Sequence, residues 1–291
     1  MPDVPGLAVF WGCRVLSGDV ALELSVRKVL ETLGVDITDL EPQSCCGEPI
    51  RSLNLTASCY LALRILALSA SKGYNEVLMP CSKGYFMANW SLDMLSRSGE
   101  LSEAISKAFS SEGLSLDRLS RPIDLVELVY RAVGPEGLRN KVEKPLGLRV
   151  ALHPGCYFMR SKPGTGEGLR KLAELRELLS AVGVEAPYYP GMMDCCGGSL
   201  WLTRQDAALT LAGSKLKAAS ESSLDCLVVL CPSCFEMLDA RQEDALSAVG
   251  EKKGVPVLYL PQLLGLALGI DPAELGLRFN RSPVEELSVV R

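Results

Sequence analysis

The sequence contains a single histidine, His153, among 291 residues. Catalytic zinc sites and histidine-based acid–base chemistry usually depend on imidazoles, so this scarcity argues against both classes of enzyme. The formal net charge of −5 gives no sign of a basic surface. We therefore expect neither nucleic acid nor an anionic membrane as a partner.

Targeting signals and long apolar runs are also missing. The first fifteen residues, MPDVPGLAVFWGCRV, lack the basic start and the long apolar stretch of a signal peptide. Apolar runs such as YLALRILALSA are too short or too interrupted to span a bilayer. We expect a cytoplasmic protein with no direct membrane span, associated with a larger complex in some settings.

Three cofactor motifs are absent as well. The sequence has no G-x-G-x-x-G fingerprint, no P-loop and no C-x2-C-x2-C ferredoxin motif. A chain that brings neither nicotinamide nor flavin machinery must exchange electrons with another protein if it carries out redox chemistry.

Cysteine, in contrast, is abundant, with eleven residues. In a reducing compartment a disulfide framework is improbable, so metal binding or redox chemistry is the leading explanation. The hydrophobic content of 48% and the charged content of 22% are typical of a folded domain. The chain is long enough for two such domains.

The cysteines repeat along the chain. The first half reads C-x31-CC-x34-C-x2-G and the second reads C-x38-CC-x34-C-x2-C. Flanking segments repeat too, since AVFWGC corresponds to VALHPGC and SCCGE to DCCGG. This internal duplication predicts two domains, residues 1–143 and 144–291, with the boundary in the polar stretch RNKVEKPLGL.

Each half alternates between apolar strand-like runs and amphipathic helical stretches, which predicts an α/β fold with a small parallel sheet flanked by helices in each of two tandem domains. Ligands of such sheets collect beyond the carboxyl ends of the strands. Cys13, Cys81, Cys156 and Cys231 follow predicted strands, and the two CCG turns are loops able to reach the same edge. We therefore expect one thiolate cluster in each half.

The second half contributes five cysteines to its cluster, one more than the four ligands of a structural zinc ion. Adjacent thiols cannot easily close a disulfide on each other, so Cys195 and Cys196 each need another partner. Soft thiolate ligation favours an iron–sulfur cluster, in which neighbouring cysteines can bind different irons. Zinc, or thiols without any ligand, are the alternatives.

With the wording CCGG and CPSCF, the duplicated pattern resembles the CCG (cysteine-rich) domain family, and specifically the B subunit of heterodisulfide reductase. The resemblance covers essentially the whole chain. It implies a non-cubane 4Fe-4S cluster in the C-terminal domain, with the ligands Cys156, Cys195, Cys196, Cys231 and Cys234. It also implies redox chemistry on a small-molecule or protein-bound disulfide or thiol. Two partners follow from it, an iron–sulfur protein similar to the C subunit of that enzyme and a flavin-binding protein similar to its A subunit.

One position departs from that family pattern. Gly84 stands where the first half should have its fifth cysteine. The remaining ligands of the N-terminal domain would be Cys13, Cys45, Cys46 and Cys81. They predict a second iron–sulfur cluster of uncertain type in this domain, either an ordinary cubane or a variant cluster with an open iron. The alternative is that the first site holds no cluster. Heterodisulfide-reductase-like complexes of sulfur-oxidising organisms are the better comparison for such an asymmetric chain.

Two further cysteines and the single histidine lie outside the ligand set. Cys59, in a predicted helix, and Cys226, at the start of a predicted strand, are expected to be small buried hydrophobic residues. His153 is the candidate catalytic residue, as a proton donor to a leaving thiolate. Its alternative role is that of a turn histidine bonded to the backbone.

Charged residues and glycines beside the cysteines are further candidates. Lys83 and Arg160 could hold an anionic substrate, or they are solvated surface residues. Gly47, Gly197 and Gly198 are expected to allow close backbone approach to the clusters, although a plain turn would use the same residues.

These inferences lead to one functional prediction. We expect an iron–sulfur catalytic subunit of a heterodisulfide reductase-like complex, an oxidoreductase acting on sulfur groups. An electron-relay or scaffold subunit without its own substrate site is one alternative. A zinc-stabilised binding module is the other.

Overall fold

The computed structural model describes residues 6–162 and 164–290. Within that part of the chain eight strands form two separate four-stranded sheets. The strands are β1 Leu7–Val9, β2 Ile37–Asp39, β3 Glu76–Leu78, β4 Arg121–Ile123, β5 Leu148–His153, β6 Val184–Glu185, β7 Cys226–Val229 and β8 Val257–Tyr259.

Helices fill the connections between these strands. In the first half they are α1 Cys13–Leu16, α2 Val20–Leu33, α3 Leu55–Ser71, α4 Ser82–Arg97, α5 Gly99–Ser110, α6 Leu125–Ala132 and α7 Gly134–Lys141. In the second half they are α8 Cys156–Met159, α9 Glu167–Ala181, α10 Gln205–Glu221, α11 Pro232–Phe235, α12 Gln242–Ala248 and α13 Leu260–Ala267. Short 3-10 turns span Glu48–Ile50, Leu277–Phe279 and Val284–Glu286, and a π-helical turn spans Glu236–Ala240.

The two sheets have the same topology. Their strand orders are β2-β1-β3-β4 and β6-β5-β7-β8, and every pairing is parallel. The central strands β1 and β5 are almost wholly buried, as expected of parallel strands covered by helices on both faces. The predicted α/β class and the duplicated sheets are confirmed.

Local signals explain where the long helices begin and end. In α2 the buried residues recur at helical spacing, and Gly34 ends the helix in the left-handed conformation with φ of 78°. The side chain of Asn54 caps α3 by accepting a hydrogen bond from the Ala57 amide at 2.9 Å.

The halves are interlocked rather than simply joined. Helices α6 and α7 of the first half pack on α9, and α13 from the end of the chain packs on α2. One hydrophobic core accordingly includes Val9 and Leu30 as well as Val150 and Leu263. The boundary at residue 143 stays a prediction, but the polar stretch around it is held in place, because the Glu143 amide donates to the Ala267 carbonyl at 2.9 Å.

A buried ion cluster also joins the halves. The Lys171 ammonium on α9 donates to the Tyr85 hydroxyl at 2.6 Å and lies next to the carboxylate of Asp124. Glu167 and Glu127 complete the cluster at 3.2 and 3.4 Å from the Lys171 Nζ. Lys171 has no exposed side-chain surface, so its charge depends on these partners. Tyr85, Asp124 and Glu127 belong to the first half, which fixes α4 and α6 against α9.

Candidate metal centre

The four cysteines of the first half converge at one edge of the first sheet. Cys13 begins α1 directly after β1, and Cys81 precedes α4 directly after β3. The thiols of Cys13 and Cys46 both interact with Cys45. Those interactions lower the pKa of Cys45 to about 2, and the Gly47 amide supports its thiolate by donating to Sγ at 3.4 Å. Cys45 is therefore the thiol most ready to act as a ligand in this half.

The five cysteines of the second half form a continuous set of sulfur contacts. Cys156 interacts with Cys195, Cys195 with Cys196, Cys196 with Cys234, and Cys234 with Cys231. The contacts with Cys156 and Cys196 lower the pKa of Cys195 to about 2, and the Gly197 amide donates to its Sγ at 3.3 Å. The arrangement repeats that of the first half, with one sulfur more.

The two sets of cysteines meet across the junction of the halves. The Cys81 thiol interacts with Cys231, and this interaction together with burial raises the pKa of Cys81. The adjacent Ser82 hydroxyl donates to the carbonyl of Leu230 at 3.4 Å. Helix α4 packs on α8, and α1 packs on α11, so the helix beginning at one site covers the other. The nine cysteines of the repeat thus form one group.

The donor set fits a thiolate-bound iron–sulfur group. Nine sulfur donors surround the junction, and Cys13 and Cys195 are exposed while Cys196, Cys231 and Cys234 are buried. Glycine at 155, with φ of 80°, leaves room at the second site. A Cβ there would lie 3.6 Å from the Cys234 Sγ. Soft donors in this number suit iron–sulfur clusters better than a single hard cation.

Gly84 occupies the position equivalent to Cys234. A Cβ at residue 84 would lie 4.0 Å from the Cβ of Cys46, the cysteine equivalent to Cys196, and 3.8 Å from the Phe10 ring. The backbone at residue 84 is therefore placed so that a cysteine there could present its sulfur to the first site. The first half lacks its fifth sulfur because of the residue type and not because of the fold.

His153 ends β5 and lies beside the second site. Its Nε2 is 3.3 Å from the Cys234 Sγ, and the ring also interacts with the backbone of Met192. Burial, aided by the positive charge of Lys215, lowers the pKa of His153 to about 3. The imidazole is then neutral near pH 7, which favours a hydrogen bond to Cys234 over proton donation. A catalytic role for His153 stays a prediction.

Lys215 was not singled out from the sequence, although it lies at the second site. It is 1% exposed on α10, and its ammonium donates to the carbonyls of Gly191 and Met192 at 2.5 and 3.3 Å. Burial lowers the pKa of Lys215 to about 8, while Asp194 and the nearby cysteines oppose that shift. Helical periodicity places Lys215 on the core-facing side of α10, where an apolar residue is expected, but it does not show that the ammonium lies at the second site.

Lys83 is tied to the site more closely than a surface residue would be. Its ammonium lies 3.0 Å from the Glu48 carboxylate, which also accepts a hydrogen bond of 2.5 Å from the Tyr157 hydroxyl. Burial alone would lower the pKa of Lys83, but the charges of Glu48 and Cys231 raise it. Arg160 is exposed. Anionic substrate binding by Lys83 and Arg160 stays a prediction.

The glycines of the two CCG turns allow close contacts with backbone atoms of neighbouring segments. A Cβ at Gly47 would lie 2.4 Å from the Ser58 carbonyl oxygen, and one at Gly197 would lie 2.5 Å from that of Ala208. Each glycine therefore lets its cysteine loop rest on the helix that follows. A Cβ at Gly198 would lie 2.9 Å from the Ser233 carbonyl, within the CPSC segment. The close approach that these glycines permit is to other backbone of the chain.

The cysteines outside the repeat match their sequence interpretation. Cys59 lies in α3 and Cys226 begins β7, and neither has exposed surface. Burial raises the pKa of both thiols. They behave as small hydrophobic residues of the core.

A cavity of about 840 Å³ lies beside the centre where α1 meets α11. Arg14, Asp19, Glu236 and Arg241 are among its lining residues. Both arginines pair with Glu236, at 2.5 and 2.9 Å. Burial raises the pKa of Asp19 to about 6, and its carboxylate accepts a hydrogen bond from the buried Tyr259. No cysteine of the described ranges lines this cavity.

No helix in residues 6–162 and 164–290 combines the length and apolarity needed to cross a membrane.

Comparison with known proteins agrees with the repeat. The model of the CCG cysteine-rich domain matches residues 7–85 and again residues 150–239. A protein of Archaeoglobus profundus, described as similar to the B subunit of heterodisulfide reductase, is 30% identical, with 91% of each chain covered. The B subunit of the ferredoxin/F420H2-dependent CoB-CoM heterodisulfide reductase of Methanosarcina acetivorans is 31% identical, over 94% of this chain and 93% of that one.

Two further similarities extend the comparison. The 8-methylmenaquinol:fumarate reductase membrane anchor subunit of Wolinella succinogenes is 30% identical, over 94% of this chain and 95% of that one. A hypothetical protein from Helicobacter pylori has the same fold, with a TM-score of 0.78 at 16% identity, over 96% of this chain and 52% of that one. The chain belongs to the cysteine-rich (CCG) domain family, and the B subunits of heterodisulfide reductases are among its relatives.

Proposed function

We propose that this chain is the catalytic iron–sulfur subunit of a heterodisulfide reductase-like complex, an oxidoreductase that acts on sulfur groups. One observation carries the proposal: the nine repeat cysteines of both halves form a single group, because the Ser82 hydroxyl beside Cys81 donates to the carbonyl of Leu230 beside Cys231, and these two thiols interact. A purely structural zinc site needs only four ligands and does not need a second sulfur site beside it. The names of the relatives support redox chemistry.

The two halves would hold different clusters. Cys156, Cys195, Cys196, Cys231 and Cys234 would hold a non-cubane 4Fe-4S cluster in the C-terminal domain. Cys13, Cys45, Cys46 and Cys81 would hold a second iron–sulfur cluster with one thiolate fewer. When bound, such clusters supply or accept electrons, usually one at a time.

Reduction of a disulfide consumes two electrons and two protons, breaks one S–S bond and yields two thiols. The exposed Cys13 and Cys195 show that both sites reach the surface, where a small-molecule or protein-bound disulfide can approach. His153 would hold Cys234 through its Nε2, and Lys83 with Tyr157 would place a charged, hydrogen-bonding group next to the junction. The same residues serve the reverse reaction.

Partner proteins follow from the missing cofactor motifs. The chain has no nicotinamide or flavin machinery in its sequence. We therefore propose that two proteins deliver or remove its electrons, an iron–sulfur protein similar to the C subunit of heterodisulfide reductase and a flavin-binding protein similar to its A subunit. The relatives are likewise named as parts of larger enzymes. We propose a cytoplasmic location for this complex.

Iron analysis tests the metal assignment. Anaerobically purified protein should contain iron and acid-labile sulfide, and Cys196→Ala should lower the iron content and remove the spectrum of the second cluster. Cys226→Ala is the matched control, because Cys226 is buried in the same half outside the repeat. Unchanged iron and spectra in Cys196→Ala would count decisively against this assignment.

Single turnover with a chemically reduced chain and a model disulfide tests the catalytic role. Cys234→Ser should abolish thiol release while the first cluster stays reducible. If turnover survives in Cys234→Ser and is lost in Cys81→Ser, the first site is catalytic. If wild-type chain with both clusters reduced releases no thiol, the electron-relay alternative is correct.

One observation favours a zinc site as a second candidate. A ring nitrogen of His153 and the sulfurs of Cys196 and Cys234 lie within 4.8 Å of one another, and mixed nitrogen and sulfur donors are typical of zinc. Zinc at one equivalent per chain, with no iron or sulfide in anaerobic preparations, would establish a zinc-stabilised binding module instead.

A further inference from the structure

The surroundings of the two cysteine sites differ in charge. Lys215 of α10 corresponds in the repeat to Ile65 of α3, and His153 of β5 corresponds to Phe10. Ile65 and Phe10 are both buried. The second site therefore has a buried cation where the first has an aliphatic side chain.

The position of Lys215 is fixed by the loop that carries the cysteine pair. Its ammonium donates to the carbonyls of Gly191 and Met192, which lie just before Cys195. It also faces the Tyr189 ring, with Nζ 5.8 Å from the ring centroid. Because two carbonyls and a ring orient the side chain, its charge stays at the second site.

The hydrogen-bond acceptors of the Lys215 ammonium are backbone carbonyls, and no carboxylate of the described ranges lies within ion-pair distance of it. The charged groups that act on it are Asp194, which is exposed, and the second-site cysteines. At the first site the nearby cation is Lys83, and Glu48 neutralises it at 3.0 Å. A buried ammonium without a paired carboxylate thus lies at the second site, whereas the cation at the first site is paired with Glu48.

We propose that Lys215 is a positioning residue that raises the reduction potential of the second-site cluster above that of the first. The inference rests on the proposed function, since it requires a cluster at each site. Reduction adds a negative charge, and a buried ammonium stabilises that charge far more than an exposed one does. Electrons that reach either site would then collect at the second, where the disulfide is handled.

Redox titration of the full chain, followed by electron paramagnetic resonance, tests this directly. The second-site signal is assigned by its loss in Cys196→Ala. In Lys215→Gln, which keeps a hydrogen-bond donor and removes the charge, reduction of that signal should become at least tenfold less favourable. For one electron this is a shift of about 59 mV to more negative potential. Lys215→Arg should stay near wild type.

Two comparisons separate charge from structure. Lys217→Gln, two residues further along α10 and half-exposed with its partner Glu251, should leave both potentials unchanged. Asp194→Asn removes an exposed negative charge next to Cys195 and should shift the second-site potential in the positive direction, which calibrates the effect of one charge at that site. Lys215→Met, a neutral side chain of similar length, repeats the test if Lys215→Gln binds no cluster.

Equal potentials in wild type and Lys215→Gln, or a shift of the first-site signal instead, would overturn the inference. So would equal potentials in wild type and Lys215→Met. Absence of iron from the wild-type chain would instead refute the proposed function. The two failures are therefore distinguishable.

Discussion

Replacing Gly197 by alanine should damage the second site through the backbone. Gly197 has φ of 81°, a left-handed conformation that costs a residue with a Cβ about 1–2 kcal/mol. The new Cβ would also lie 2.5 Å from the carbonyl oxygen and 2.9 Å from the Cα of Ala208. Because these are backbone atoms of α10, relief requires a shift of the loop or helix, at about 1–3 kcal/mol. We expect Gly197→Ala to lose about 2–5 kcal/mol in free energy of unfolding.

The matched control is Gly113→Ala. Gly113 also has a positive φ, of 69°, but nothing lies within 4 Å of its Cβ position. It should therefore lose only the conformational cost of about 1–2 kcal/mol. Urea unfolding of anaerobic protein measures both values, and iron content shows whether Cys195 and Cys196 have moved. Equal losses in the two variants, with unchanged iron, would refute the argument that the CCG glycine serves close packing.

Three further predictions concern the first site and the buried ion cluster. Gly84→Cys should fit without strain, since its Cβ would have no neighbour closer than 3.8 Å, and it should shift the first-site spectrum towards that of the second; two identical clusters in wild type would contradict this. Lys171→Met should lower the free energy of unfolding in urea by about 3–5 kcal/mol, because the buried carboxylates lose their partner. Lys162, whose side chain is 40% exposed, lies at the edge of the cluster, so Lys162→Met should lower it by less than about 1 kcal/mol. Equal losses would contradict this assignment. Burial alone would raise the pKa of Glu167, but Lys162 and Lys171 lower it below 4.5. The free energy of unfolding lost in Glu167→Gln should therefore be largest near about pH 7 and should shrink as the pH falls through the lowered pKa. A loss that grows in acid would contradict this sign.

Tertiary structure explains which parts of the site escaped prediction. The contact between Cys81 and Cys231 joins residues whose sequence repeat suggests two independent sites. The spacing of Lys215 in α10 is core-facing although its residue type is typical of the surface, and only the packing of α10 against the cysteine loop shows that it is buried. Both features depend on distances between elements far apart in the chain, which no local pattern records.

By itself the sequence determined the α/β class, the duplication and the grouping of cysteines at strand ends, because buried strands, amphipathic helices and ligand spacing are local patterns. It did not show the short edge strands β2, β4, β6 and β8, whose few residues carry little periodicity. It also did not show that α6, α7 and α13 cross between the halves, since apolar faces do not specify their partners. The tertiary structure decided that the two thiolate sites adjoin, because only the docking of one sheet beside the other brings Cys81 to Cys231.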